Sequence, residues 1–210
     1  MDKERDQITV ATGAYSVLKR AADIILSAAP IIILSPVMAV IGMLVAVSSD
    51  GGAIFRQERL GRNEKKFECL KFRTMYRDAP HDIPTAEFAG MEKHITPIGK
   101  VLRKTSIDEL PQLFNVLRGD MSMVGPRPLI ANEREMTRMR REAGIYRVRP
   151  GITGFAQING RDNVKDDEKI ALDKAYMEEM SFFTDVTILV MALSGVVRGK
   201  DIATAKGKEK

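Results

Sequence analysis

The chain has 210 residues, and 33 Lys+Arg against 28 Asp+Glu give a net charge of +5, which suits one substantial domain with an anchor and anionic partners. The absence of Trp, only 4 Tyr and no zinc-ligand spacing or RNP-like string count against nucleic acid, so nucleotide-sugar phosphates and an anionic membrane face fit better. A single cysteine, Cys69, excludes an internal disulfide and fits a reducing compartment, and two histidines, His81 and His94, exclude a multi-His metal site.

After an N-terminal segment, residues 24–47 read IILSAAPIIILSPVMAVIGMLVAV without a charge, long enough to span a bilayer. Pro30 and Ser35-Pro36 interrupt this run. One arrangement is a tilted single-pass helix with a tolerated kink. The other is a helix-break-helix that enters one leaflet and returns, with Ser35 satisfying freed backbone groups. Lys19 and Arg20 before the run and Arg56, Arg59, Arg62, Lys65 and Lys66 after it make both flanks basic, which favours return over crossing. The run is too long and starts too late for a cleaved signal peptide.

Residues 53–55 and 67–72 pattern as short strands around a basic turn at 61–66, and 80–90 as a loop. Thr96-Pro97 opens a helix running to Lys104 by N-cap and N1 preference. Ser106-x-x-Glu109 then reads as a capping box, although Pro111 requires the helix either to begin nearer Asp108 or to kink. Asp108 and Glu109 are thereby expected at a helix N-terminus, where the dipole favours the ionised form and an ionised aspartate is a usable nucleophile. For the pair alone, capping is the commoner role. Arg103, Lys104, Arg118 and Arg127 around it shift the balance toward chemistry. Pro126 and Pro128 fix the backbone on both sides of Arg127, whose planar fork suits phosphate oxygens. Two carboxylates approach a diphosphate through a divalent cation, and Mg²⁺ binds with one or two carboxylates plus substrate phosphates.

Leu110, Leu113, Phe114 and Leu117 form an apolar stripe that suits core or membrane surface equally. Residues 132–141 form a charged helix with a second capping box, Asn132-x-x-Glu135, stopped by Gly144; its arginines read as a solvated or lipid-facing edge. The glycine-rich string from Arg147 to Arg161 lets backbone N–H groups approach a ligand, though ordinary turns also explain such strings. Residues 167–180 form an amphipathic helix, 182–197 an apolar helix for the interface or the core, and 206–210 a polar, disordered tail.

Three strings, LRKTSIDELPQLFNVLRGDMSMVGPRP at 102–128, KFRTM at 71–75 and RPGITGFAQINGRD at 149–162, resemble the bacterial sugar transferase family, the monotopic phosphoglycosyl transferases, in order from about Lys19 to near Gly199. The resemblance implies an α/β, mainly α, fold: an N-terminal segment (1–18), a re-entrant membrane helix-break-helix (19–50) broken at Ser35 and Pro36, a cytosolic catalytic domain (51–199) with interfacial amphipathic helices and a few short strands, and a polar tail (200–210). It implies transfer of a sugar-1-phosphate from a UDP-sugar to polyprenol (undecaprenyl) phosphate with release of UMP, at the cytoplasmic face of the inner membrane. Asp108 would attack the β-phosphorus to give a phosphosugar-aspartate and would ligate Mg²⁺. Glu109 would assist the second half-reaction, and Arg103 and Arg127 would hold phosphate oxygens. Lys71, Arg73, Gln157, Arg161 and Asp162 become candidate nucleotide or sugar contacts, membrane lipids become partners, nucleic acid does not, and a homo-oligomer is compatible.

Larger members carry a multi-span N-terminal region that is expected to be missing here, and Phe155 stands where relatives often have Trp. Nothing identifies the sugar. A single-pass membrane adaptor with a basic cytosolic domain is the alternative, and it leaves the Asp108–Arg127 constellation without a purpose. A nucleic-acid module explains only the charge.

Overall fold

The computed structural model describes residues 13–48, 50–80, 91–159 and 165–198. Residues 81–90, 161, 162 and 206–210, for which a loop, two ligand contacts and a tail were expected, lie outside that set.

The apolar run forms one helix, α1 (Ala14–Ser48), with Pro30 and Pro36 inside it. The expected break at Ser35-Pro36 is therefore corrected: the chain stays helical there, and the helix begins before Lys19. Pro36 lacks the N–H that would bond to the carbonyl of Ile32 one turn earlier. Ser35 Oγ donates to that carbonyl at 2.9 Å, so the acceptor freed by the proline is satisfied locally, as the sequence suggested. The outward face is apolar and open, with Ile32 and Ile33 each 72% exposed.

Both halves of α1 pack on the same domain. In the first half, Lys19 Nζ lies 2.7 Å from Asp185. Buried Asp23 accepts from Ser122 Oγ and the Met123 N–H at 3.0 and 2.9 Å, and Arg20 donates to the Val116 and Leu117 carbonyls. In the second half, Val45, Met38 and Ile41 join a core with Phe72, Leu102, Ile98, Ile107 and Leu110.

Strands β1 (Ile54–Leu60) and β2 (Lys66–Phe72) pair antiparallel, Ile54 opposite Phe72 and Leu60 opposite Lys66. The first strand is longer than the 53–55 expected, because Arg56, Gln57, Glu58 and Arg59 alternate across an exposed hairpin whose polar residues hid the strand pattern. Helix α2 (Pro97–Thr105) starts as expected, with Thr96 Oγ1 accepting from the Gly99 N–H. Helix α3 (Gln112–Arg118) follows, and β3 (Ser122–Val124) pairs in parallel with β4 (Gly151–Thr153), a pairing the sequence did not suggest. A Cβ on Gly151 would fall 2.1 Å from the Gly125 nitrogen, so this crossing admits only glycine.

Helices α4 (Arg134–Glu142), α5 (Phe155–Ile158), α6 (Asp166–Glu178) and α7 (Phe182–Arg198) complete the described chain. Helix α4 starts one residue later than Asn132 would place it: Glu133 is its N-cap, the Glu133 carboxylate accepts from the Ile130 N–H, and Glu135 pairs with Arg138. The main core gathers Val124, Ile145, Val148, Tyr176, Met177 and Ile188. The α3 stripe divides: Leu113 is buried, whereas Phe114 and Leu117 are exposed.

Candidate active site

Asp108 and Glu109 lie in a single 3-10 turn, Ile107–Glu109, between α2 and α3. Ser106 is in the left-handed region at φ 57° and makes no side-chain cap, so the Ser106-x-x-Glu109 capping box is corrected. Pro111 resolves the conflict seen in the sequence by standing at the N-cap of α3, where no helical donor is required of it. The dyad precedes the helix instead of opening it.

Glu109 is the hub of the site. Lys71 Nζ of β2 lies 2.7 Å from Glu109 Oε1, and Arg127 Nη2 lies 3.4 Å from the same oxygen. Asn115, with no exposed surface, sets this alignment: its Oδ1 accepts from the Leu70 N–H at 3.0 Å and its Nδ2 donates to the Glu68 carbonyl at 2.7 Å. These bonds lock α3 to β2 in the register that carries Lys71 to the dyad. Arg103 Nε donates to Thr74 Oγ1 at 2.8 Å, beside Asp108. Lys104 and Arg118 are exposed, and neither forms a salt bridge to the dyad among the described residues.

The two neighbouring carboxyls are pushed in opposite directions. Burial raises the pKa of Glu109, but Lys71 and Arg127, by charge and by hydrogen bond, outweigh it and hold the group at about 2. For Asp108, burial dominates over the partial relief from Lys71, Arg103 and Arg127, and its pKa is raised. The expectation that a helix terminus would favour ionisation of both is thus replaced: Glu109 is ionised because of its cations, and Asp108 is a desolvated carboxyl.

Among the other expected contacts, Lys71 belongs to the site and Arg73 does not join the Glu109 cluster. Arg73 Nε donates to the Gly52 carbonyl at 3.0 Å and its guanidinium sits 5.7 Å from the Phe55 ring centre, holding it at the entry to β1. Gln157, on α5, has both amide atoms buried without a partner, which suits a ligand contact. Among the described residues no group of three or more His, Cys, Asp or Glu gathers. Glu109 is occupied by Lys71 and Arg127, which leaves Asp108 as the carboxyl that would be offered to a cation, and Mg²⁺ in general binds through one or two carboxylates together with substrate phosphates and water.

Sequence reasoning missed Arg59, Arg140 and Asp173. Arg140 was read as part of a solvated or lipid-facing edge, yet it is 4% exposed and pairs at 2.7 Å with Asp173 of α6. Its position on the inner face of α4, two residues from exposed Arg138, was the available signal.

Residues 14–199 match the family described as Bacterial sugar transferase. The chain belongs to the bacterial sugar transferase family. It is 35% identical to the exopolysaccharide production protein ExoY of Rhizobium meliloti, over 85% of this chain and 84% of that protein. It is 39% identical to the undecaprenyl-phosphate galactose phosphotransferase of Salmonella typhimurium, over 92% of this chain but 43% of that one. It is 38% identical to the UDP-glucose:undecaprenyl-phosphate glucose-1-phosphate transferase of Escherichia coli, over 88% and 41% respectively. The chain thus spans about two fifths of the length of the last two family members and most of the length of ExoY.

Proposed function

We propose that this family member transfers a sugar-1-phosphate from a UDP-sugar to undecaprenyl phosphate. The observation that carries the reading is the split within the dyad: Glu109 is ionised and holds Lys71 and Arg127, while Asp108 is buried and paired with neither. An incoming diphosphate offers both cations better acceptors than one carboxylate oxygen. A carboxylate Oδ of Asp108 then attacks the β-phosphorus; the new O–P bond forms as the bond to the bridging oxygen breaks, and UMP leaves with that electron pair. An oxygen of undecaprenyl phosphate attacks the same phosphorus, the Asp108–phosphorus bond breaks, and a sugar diphospholipid is released. Arg103 and Arg127 hold phosphate oxygens, and positioning and charge neutralisation supply most of the rate. Mg²⁺, held by Asp108, would neutralise the diphosphate and let the carboxylate approach it.

While paired with Lys71 and Arg127, Glu109 is a weak base. Once phosphate draws those cations away, its pKa returns toward the ordinary range and it takes the proton of the incoming lipid phosphate. The substrate itself switches the base on.

In this reading α1, unbroken at Ser35-Pro36, enters one leaflet from the cytoplasmic face of the inner membrane without crossing it. Asp23 bonds to β3, and Met38 packs against the cluster of Val45, Phe72 and Leu102. The helix between them covers about 22 Å at the α-helical rise, less than the roughly 30 Å of a bilayer core. A helix tied to one domain at both points does not reach the far side, and its open apolar face suits one leaflet. UMP release from UDP-glucose and UDP-galactose by the full chain, with and without Mg²⁺ and undecaprenyl phosphate, tests the proposal. Repeated turnover that depends on the UDP-sugar, Mg²⁺ and undecaprenyl phosphate, with at most one UMP per chain released when the lipid is left out, supports it, and absence of release from a panel of UDP-sugars contradicts it.

A further inference from the structure

In Pro126-Arg127-Pro128 two of the three residues have no N–H, so the backbone can be held mainly through its carbonyls. All three are taken, each from a different element. The Gly151 N–H of β4 donates to Pro126 O at 2.9 Å. Arg140 Nη1 of α4 donates to Arg127 O. Arg59 Nη1 of β1 donates to Pro128 O at 2.8 Å.

Neither arginine sits there cheaply. Arg140 is buried against Asp173, which is 1% exposed, yet Arg140 Nε and Asp173 Oδ1 remain buried without partners. Burial outweighs the charge of Arg140 and pushes Asp173 up to about 6. Arg59 spends Nε and Nη2 on Gln57 Oε1 at 3.1 and 2.6 Å and forms no salt bridge among the described residues. Its pKa is lowered by burial and by the like charge of Arg127. Surface carbonyls are satisfied by water at no such cost, and a buried charge retained against stability points to a function.

We propose that Arg59 and Arg140, the latter held by Asp173, are positioning residues that clamp the Pro126-Arg127-Pro128 backbone and aim the Arg127 fork at the transferring phosphate. This rests on the reading of Arg127 as a phosphate ligand. The clamp gives Arg127 a fixed origin while its side chain moves from Glu109 to substrate, and misplacement of a ligand by about 1 Å can cost a hundredfold in rate.

The test is a set of double-mutant cycles on the full chain in detergent, with kcat/KM for UMP release as the readout. Arg140→Lys keeps a charge for Asp173, but one ammonium cannot also fork to the Arg127 carbonyl; Arg59→Lys loosens the other side independently. Each is expected to lower kcat/KM by about 10- to 100-fold in the wild-type background and by no more than about twofold when Arg127 is already Ala. Equal losses in both backgrounds, or wild-type kcat/KM in both single variants, would overturn the clamp. If Arg140→Lys does not fold, Arg59→Lys decides by the same criterion. Unimpaired Arg127→Ala would instead remove the phosphate reading itself, so the two failures are distinguishable.

Discussion

Lys71 Nζ reaches from β2 to within 2.7 Å of Glu109 Oε1, and adjacent Asp108 is left as the buried, higher-pKa member of the pair. A strand residue and a turn residue 38 positions apart thus decide which of two neighbouring carboxylates is tied up. The pairing has consequences for pH, for rate and for stability.

Because Glu109 is held at about 2 against an ordinary value near 4.5, its pairing stabilises the folded chain fully above pH 4.5. That contribution is lost as pH falls from 4.5 toward 2. Glu109→Gln should therefore be less stable than wild type at pH 7, by roughly 1–3 kcal/mol for a lost charge-assisted contact. The gap should close through that acid window, which thermal unfolding in detergent at stepped pH would follow. A gap that does not change with pH contradicts the pairing.

Arg127→Lys keeps the charge and loses the fork, which is not conservative at a bidentate site. We expect kcat/KM to fall by an amount equivalent to roughly 1–3 kcal/mol of transition-state stabilisation. Wild-type kcat/KM for UMP release would rule out a bidentate contact.

Asn115→Ala strands the Leu70 N–H and the Glu68 carbonyl, both bonded to the Asn115 amide. An unsatisfied buried group costs about 1–3 kcal/mol; the Leu70 bond is buried and the Glu68 bond only partly so, and denaturant unfolding should report a loss of about 1–3 kcal/mol. Turnover should fall as well, because the Lys71 register loosens. A loss near zero would mean that α3 and β2 are aligned by packing alone.

The placement of α1 predicts that residues before Ala14 and after Ser48 share one side of the membrane. A reporter cysteine near the N-terminus should resist labelling from outside intact cells. Strong outside labelling of the N-terminus would leave a single-pass anchor.

Local chemistry was legible in the sequence where one residue type settles the outcome. Thr96-Pro97 starts α2 as read, and an apolar helix occupies 24–47. The Asp108-Glu109 pair and Arg127 lie together as expected. The capping box at Ser106 failed because Glu109 found stronger partners in Lys71 and Arg127, and no local pattern reports a competitor distant in sequence. Pro36 did not break α1, since Ser35 supplies the missing donor. Arg59 and Arg140 looked like surface charges because their acceptors are backbone carbonyls of a loop 69 and 13 residues away. Carbonyls carry no signature in a sequence.

In the proposed mechanism Asp108 becomes covalently bonded to phosphorus. Intact-protein mass measurement of the full chain, incubated with a turned-over UDP-sugar and Mg²⁺ but without undecaprenyl phosphate, tests it most directly. The expected result is an added mass equal to one sugar phosphate, removed on addition of the lipid phosphate and absent in Asp108→Asn, which should also lose all turnover. An adduct that persists in Asp108→Asn, or UMP release by that variant at the wild-type rate, would contradict it.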